Sequence, residues 1–283
     1  MIAQSQISKL SNRLHKQSGG RRIPEAVLER DYCVAWFLVG LSRSPLKTKL
    51  AFKGGTALKR CHFEDYRFSE DMDFTLLETT TLEAIKKELE TIYTEVKTAS
   101  GIAFRFVRED SQPHQNCHTF YLGYEGPLPA TAAGKEIKVD ITIKEHLAHP
   151  PEERVVLKSY AEYNDLPDGA KVLAYSLGEI AAEKTAALLD RARSEPRDLY
   201  DLWHLTVSSK SVEPAQIADA IRAKLAFRNK SLDEVRGEYD KKEPRLRKAW
   251  ESRLSMQMST LPEFDHVYRA VKRVLRQAGI AAE

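Results

Sequence analysis

Between Leu50 and Leu76 the chain reads LAFKGGTALKRCHFEDYRFSEDMDFTL, an order that few folds accommodate. A short apolar run, Leu50-Ala51-Phe52, stops at Gly54-Gly55-Thr56 and passes straight into Ala57-Leu58-Lys59-Arg60. Strand, glycine turn, hydroxyl residue and helix in succession leave backbone N–H groups free at a helix N-terminus. Those donors and the positive end of the helix dipole point the same way, which suits phosphate oxygens. A strand over Ser69–Leu76 places Asp71, Asp73 and Thr75 on one face and Met72, Phe74 and Leu76 on the other. Neighbouring carboxylates repel each other, so the pattern makes sense if a divalent cation neutralises them; Mg²⁺ takes a few carboxylates together with substrate phosphates. A lone GGT is usually only a turn and a lone DxD usually a solvated strand edge. In this order they make a candidate nucleotide–Mg²⁺ site.

A second stretch supplies a third carboxylate. From Lys135 to Ile143 the residues Ile137, Val139, Ile141 and Ile143 alternate toward a core, while Lys138, Asp140 and Thr142 face the other way. Asp140 on that open face, beside a DxD strand, would complete a three-carboxylate site. Such a site holds two Mg²⁺ ions, one activating an attacking oxygen and one gripping the triphosphate and leaving group. The plain alternative is a solvated edge residue.

A third stretch is helical. Leu177 to Arg193 predicts a helix with Leu177, Ile180, Ala181, Lys184, Leu188 and Arg191 on one stripe. Two cations on an apolar stripe are expensive unless paired, so the stripe is expected to face a cleft and its charges a polyphosphate. The bland alternative is that Lys184 snorkels to solvent. Ser194 caps a following helix with Pro196 in its first turn, and Asp198 and Asp201 share one face of it.

Gly54-Gly55-Thr56 with Asp71 and Asp73 resembles the first motif of the DNA polymerase β-like nucleotidyltransferases. The longer KGGTAL and RFSEDMDF resemble the AbiEii-type nucleotidyltransferase toxins of type IV toxin–antitoxin and phage-defence systems, a group that includes the mycobacterial MenT toxins. Lys138 followed by Asp140 is similar to that family's second motif. Glu179–Lys184 with Arg191, then Arg197-Asp198-Leu199-Tyr200-Asp201-Leu202, is similar to its third, with Arg197 where many relatives carry lysine. The resemblance spans roughly Phe52 to Leu205. It implies a bilobed α/β (α+β) protein: a catalytic nucleotidyltransferase domain with a mixed sheet over residues 1–175, a helical domain over 176–283, and an NTP between them. It also implies transfer of a nucleoside monophosphate from NTP to a hydroxyl, with tRNA 3′ ends as acceptor, and a cognate antitoxin as partner. On this reading Asp71 and Asp73 bind both Mg²⁺ ions and Asp140 one of them. Gly54, Gly55 and Thr56 cradle the β- and γ-phosphates, and Lys138, Lys184, Arg191 and Asp201 join the nucleotide-binding set. Lys184 and Asp198 belong to the active site; Asp201 has the alternative of anchoring Arg191 or Arg197.

The rest of the chain bounds these readings. In 283 residues, 42% hydrophobic and 30% charged, there is no apolar run of bilayer length and no signal-peptide core in Met1–Gln17. Cys33, Cys61 and Cys117 have no zinc spacing, which favours a reduced, cytoplasmic setting. Ile7, Leu10 and Leu14 predict a short helix, and Val27 to Leu41 a one-sided helix behind Pro24, with Glu25, Glu29 and Asp31 in its first half where the dipole favours them. Leu82 to Val96 predicts a helix ending near Gly101, and Ile102–Val107 and Cys117–Tyr124 predict strands joined through Glu109–Asn116. A short strand is possible at Arg154–Leu157. Beyond Val212 the pattern is helical, and between Arg222 and Arg253 eleven Lys/Arg face six Asp/Glu, a basic surface that could hold RNA. The residues leave other functions open: a small-molecule acceptor, a partner- or nucleotide-binding relative without activity, or an Mg²⁺-dependent nuclease, which would not explain the GGT turn.

Overall fold

The computed structural model describes residues 1–112, 115–132 and 134–281, so Pro113 and His114 of the expected 109–116 connection lie outside the described residues. The chain divides into two compact units, Met1–Glu145 with Pro151–Ala174, and His146–Pro150 with Tyr175–Glu283.

In the first unit, α1 (Gln4–Ser18) buries Ile7 and Leu10, and α2 (Glu25–Ser42) follows Pro24. Then come β1 (Leu50–Lys53), α3 (Gly54–Ala57), a π turn over Leu58–His62, and β2 (Met72–Leu76). Helix α4 (Leu82–Ser100) ends at Gly101 as its pattern predicts. After it run β3 (Ala103–Glu109), β4 (Cys117–Glu125), β5 (Glu136–Thr142), β6 (Glu152–Val155) and β7 (Lys171–Ala174). The seven strands form one mixed sheet in the order β3-β4-β5-β2-β1-β7-β6. Parallel pairing occurs at β2–β5 and β1–β7, and the other neighbours are antiparallel. Parallel neighbours need a long crossover; between β2 and β5 it is built from α4 and the β3–β4 pair.

Alternation in β5 is as clean as the sequence suggested: Ile137, Val139 and Ile141 are buried and the residues between them are half-buried. In β2, Met72, Phe74 and Leu76 are buried too. Phe74 sits opposite Phe52 of β1, ring centroids 5.1 Å apart. Each such buried ring contributes about 1.5–3 kcal/mol over an exposed one.

The expected one-sided stripe of α2 is a correction. Every residue from Asp31 to Leu41 is buried, as befits a helix apolar on all sides. Two of its acidic residues are therefore interior anchors and not merely dipole partners. Asp31 pairs with Arg60 at 2.7 Å, both nearly inaccessible. The Tyr163 hydroxyl lies 3.1 Å from the same carboxylate, and Arg60 also donates to the Leu157 carbonyl at 3.0 Å. Glu29, also buried, accepts from the Leu128 N–H at 2.6 Å and the Lys135 ammonium at 2.7 Å.

The second unit is helical: α5 (Leu177–Leu189), α6 (Pro196–Trp203), a π turn over His204–Ser208, α7 (Pro214–Phe227), α8 (Leu232–Val235), α9 (Glu238–Lys241), α10 (Glu243–Leu254) and α11 (Phe264–Gln277). Ser176 caps α5 by accepting from the Glu179 N–H. Glu179 and Lys224 form a fully buried pair at 2.6 Å. Glu179 also takes the His149 N–H, and Lys224 donates to the His146 carbonyl, so this pair fastens the 146–150 segment to α5 and α7.

Because removing one partner strands the other charge in the interior, Asp31→Ala should cost about 3–5 kcal/mol. Urea unfolding would read this as a lower midpoint at an unchanged slope.

Candidate active site

Strand register brings the sequence motifs together in the first unit. Thr119 of β4 stands opposite Asp140 of β5, Asp140 opposite Asp73 of β2, and Asp73 opposite Lys53 of β1. Side chains at paired positions share a face, so four strands carry one lateral row: Thr119, Asp140, Asp73, Lys53. The rows flanking it are mainly apolar and buried, with Phe120, Val139 and Met72 on one side and Ile141, Phe74 and Phe52 on the other, the latter row ending at half-buried His118.

Asp140 accepts from the Thr119 hydroxyl at 2.6 Å and from the Lys138 ammonium at 2.7 Å. Burial draws the Lys138 pKa down, but the hydrogen bond and charge of Asp140 outweigh it. With the charge of Asp71 added, Lys138 rises above the ordinary lysine value. Lys53 donates to Thr142 at 3.0 Å on the same face. Cys117, half-buried, lies 4.0 Å from the Asp140 carboxylate.

The glycine turn meets this row from the end of β1. Gly54 has φ +74°, a left-handed conformation, and a Cβ there would lie 2.6 Å from Asp73 Oδ2. At Gly55 a Cβ would fall 2.4 Å from the Arg67 guanidinium. The Thr56 hydroxyl donates to the Asp71 carbonyl at 2.5 Å, so it ties the turn to the entry of β2. Asp71 itself precedes β2, which begins at Met72 and is shorter than the expected strand.

The donor set is hard anionic oxygen, partly neutralised by lysine, and fits a Mg²⁺ ion in kind. Asp73 and Asp140 stand side by side, with Asp71 just upstream. The sequence expectation of three converging carboxylates is not matched in full, since no group of three His, Cys, Asp or Glu side chains among the described residues is gathered as a metal cluster.

The second unit carries its own charged cluster. Lys184 is 2.8 Å from both Asp198 Oδ1 and Asp201 Oδ2. Arg193 grips Asp198 with two hydrogen bonds, 2.7 and 3.2 Å. Asp198 and Asp201 are buried and Lys184 nearly so. Burial pushes the Asp198 carboxyl up, but Lys184 and Arg193 outweigh it and hold it below the usual carboxylate range. Asp201 thus anchors Lys184, and Arg191, one of the partners the sequence allowed it, pairs with Glu238 instead. Arg191 departs furthest from expectation. Helix α5 ends at Leu189, two residues short of it, and Arg191 is largely exposed and paired with Glu238. Arg193, which sequence reasoning passed over, occupies the position against Asp198. With Arg191, Arg193 and Arg197 alternating through one short stretch, only the helix end decides among them.

A family model for the AbiEii nucleotidyl transferase toxin of type IV toxin–antitoxin systems matches residues 36–270. The chain belongs to that family. The match reaches past the recognisable motifs on both sides. Two solved structures share the fold. MenT4, a nucleotidyltransferase toxin from Mycobacterium tuberculosis, aligns with TM-score 0.65 at 17% identity over 96% of this chain and 90% of its own. JHP933 from Helicobacter pylori aligns with TM-score 0.52 at 16% identity over 90% of this chain and 93% of its own. Comparison with curated protein sequences gives no match. Family membership makes this a nucleotidyltransferase toxin, with an NTP substrate and an antitoxin partner. Among the described residues no helix is long and apolar enough to cross a membrane.

Two outcomes test the site. Gly54→Ala should force the turn and Asp73 apart, a displacement of the kind that costs about 10²-fold in rate, while thermal melting shows only a modest loss. Asp198 gives a pH signature. Its folded pKa lies below the unfolded value of about 3.9, so on acidification the unfolded state takes up the proton first. The stability it contributes is present above about pH 4 and is lost as pH falls through the lowered folded value. Asp198→Asn should therefore flatten the acid limb of melting temperature against pH.

Proposed function

We propose that this toxin transfers a nucleoside monophosphate from NTP to a hydroxyl at the 3′ end of tRNA, with Mg²⁺, and so blocks aminoacylation and arrests growth until its antitoxin intervenes. The observation that carries the reading is the Asp140–Asp73 register pair beside the left-handed glycine turn. An anionic pair next to a glycine turn that opens a helix suits a metal-bound triphosphate. The acceptor hydroxyl gives up its proton to water as its oxygen bonds to the α-phosphorus, the bond from that phosphorus to the α,β-bridging oxygen breaks, and pyrophosphate leaves.

Each group has a part in that step. Asp73 and Asp140, with Asp71, would hold Mg²⁺, which when bound offsets triphosphate charge and acidifies the attacking hydroxyl. Gly54 and Gly55 present their backbone to the β- and γ-phosphates. Thr56 fixes the turn through the Asp71 carbonyl, and Lys138 orients Asp140. In the helical unit, Asp198 and Asp201 hold Lys184 between them and Arg193 grips Asp198, so that unit keeps a neutral, preorganised charged set of its own. The substrates place the work in the cytoplasm, and growth arrest during infection would serve phage defence.

Purified protein incubated with Mg²⁺, bulk tRNA and each α-labelled NTP in turn should label tRNA with one nucleotide. Asp71→Ala and Asp140→Asn should each lower labelling by at least about 10²-fold, as expected on losing a group that stabilises transition-state charge. Label on a small molecule or on protein, with tRNA unlabelled, would move the acceptor and refute the tRNA assignment.

A further inference from the structure

The outer face of α6 has the wrong chemistry for a solvated helix. Leu199 and Leu202 are buried with Asp198 and Asp201, so the opposite side should be charged or polar. Behind Arg197 it instead carries Tyr200, Trp203 and His204, all partly exposed. Tyr200 and His204 stack at 6.2 Å between centroids and 23° between planes, and Tyr200 meets Trp203 at 5.6 Å. Trp203 in turn meets the edge of His266 in α11 at 6.1 Å. Four rings from two packed helices thus form one continuous run.

His266 opens the exposed face of α11. One and two turns further on, that face carries Arg269 and Arg273, both exposed and neither in an ion pair among the described residues. The buried side of α11 is Val267, Val271, Val274 and Leu275, so the basic stripe faces outward, with the charge of Asp265 one turn before Arg269. The aromatic run therefore leads directly into a cationic one.

The stretch that looked most basic in the sequence is, by contrast, largely committed. Lys224 is buried against Glu179, and Lys242 donates to the carbonyls of Ala187, Asp190 and Arg193. Arg247 bridges Asp265 and Glu243, while Arg222, Arg236, Lys241 and Arg253 each face a carboxylate.

We propose that the α6–α11 surface binds single-stranded RNA, with unpaired bases stacked on the Tyr200–Trp203–His204–His266 rings and phosphates following Arg269 and Arg273. One nucleotide needs one slot. A row of rings leading into a row of guanidinium groups is the chemistry of a strand, since every base has a face to stack and every linkage a charge to meet. The inference deepens the tRNA-acceptor reading above and rests on it: the strand would be the unpaired end of the acceptor.

Fluorescence anisotropy with a labelled, unstructured RNA of about 12 nucleotides, within the span of known single-strand sites, tests it on the full chain. Tyr200→Ala should weaken binding about tenfold, within the range of one base–aromatic stack, and Tyr200→Phe should restore it. Arg269→Ala with Arg273→Ala should reduce the salt slope by about two. Trp36 and Trp250 are nearly inaccessible, so quenching of tryptophan emission by RNA should vanish in Trp203→Phe. Circular dichroism melts establish that each variant is folded. Unchanged RNA affinity in folded Tyr200→Ala would overturn the proposal. So would quenching by NTP alone, which assigns the rings to the donor nucleotide. RNA binding that follows this pattern without any labelling of tRNA supports the surface and overturns only the acceptor reading. Labelled tRNA with an unchanged KM in Tyr200→Ala overturns only the surface.

Discussion

The parallel pairing of β2 with β5 is the constraint on which the first unit depends. Its register places Asp73 beside Asp140 and, in the same stroke, Phe74 beside Ile141 and Met72 beside Val139. A slip of one residue would turn two carboxylates into the core and two large apolar side chains out of it. The apolar rows therefore hold the acidic row in place. Burial of Phe74, Met72, Val139 and Ile141 fixes the strand register, and Lys138 then offsets part of the charge on Asp140. The crossover that makes the pairing parallel, α4 with the β3–β4 pair, also delivers Thr119 to the end of the row to hold Asp140.

Much of this was legible because it is local and periodic. The alternation from Ile137 to Ile141, the glycine break after Phe52 and the period of α4 up to Gly101 each determine a backbone geometry within a few residues. Register follows once two strands each have one apolar face. What the sequence could not show is where interior charges find partners. Glu29 and Asp31 read as dipole-favoured acids early in a helix, yet their partners are Lys135 and Arg60, brought together only by the tertiary fold. Thr56 read as a phosphate ligand, but its hydroxyl is taken by the Asp71 carbonyl. Asp71 fell inside the expected strand and in fact stands one residue before it, where its charge still reaches Lys138.

The helical unit shows the same rule in a stricter form. A lysine placed on an apolar stripe reads as a group reaching for a ligand. Lys184 is in fact held between two buried carboxylates, at 2.8 Å each, with Arg193 completing a neutral set on Asp198. Such a set is costly to desolvate and costly to break, so it specifies geometry more than it adds stability. Arg191 and Arg193 are indistinguishable by composition. The chain leaves the helix at Leu189, and that turn alone swings one guanidinium onto Glu238 and the other onto Asp198.

That turn is itself fixed by a cation. Lys242 reaches from beyond α9 to the carbonyls of Ala187, Asp190 and Arg193, in and just past the last turn of α5, where the helix dipole favours positive charge. Buried there, its ammonium is drawn down to about 8 by desolvation, with Asp190 and Asp198 among the charges acting against that fall. One lysine counted as part of a basic patch is thus a structural group and is withdrawn from the accessible positive surface. Local charge density along a chain measures how many cations are present. Which of them a ligand can meet is decided by how many backbone carbonyls and buried carboxylates the fold must satisfy first.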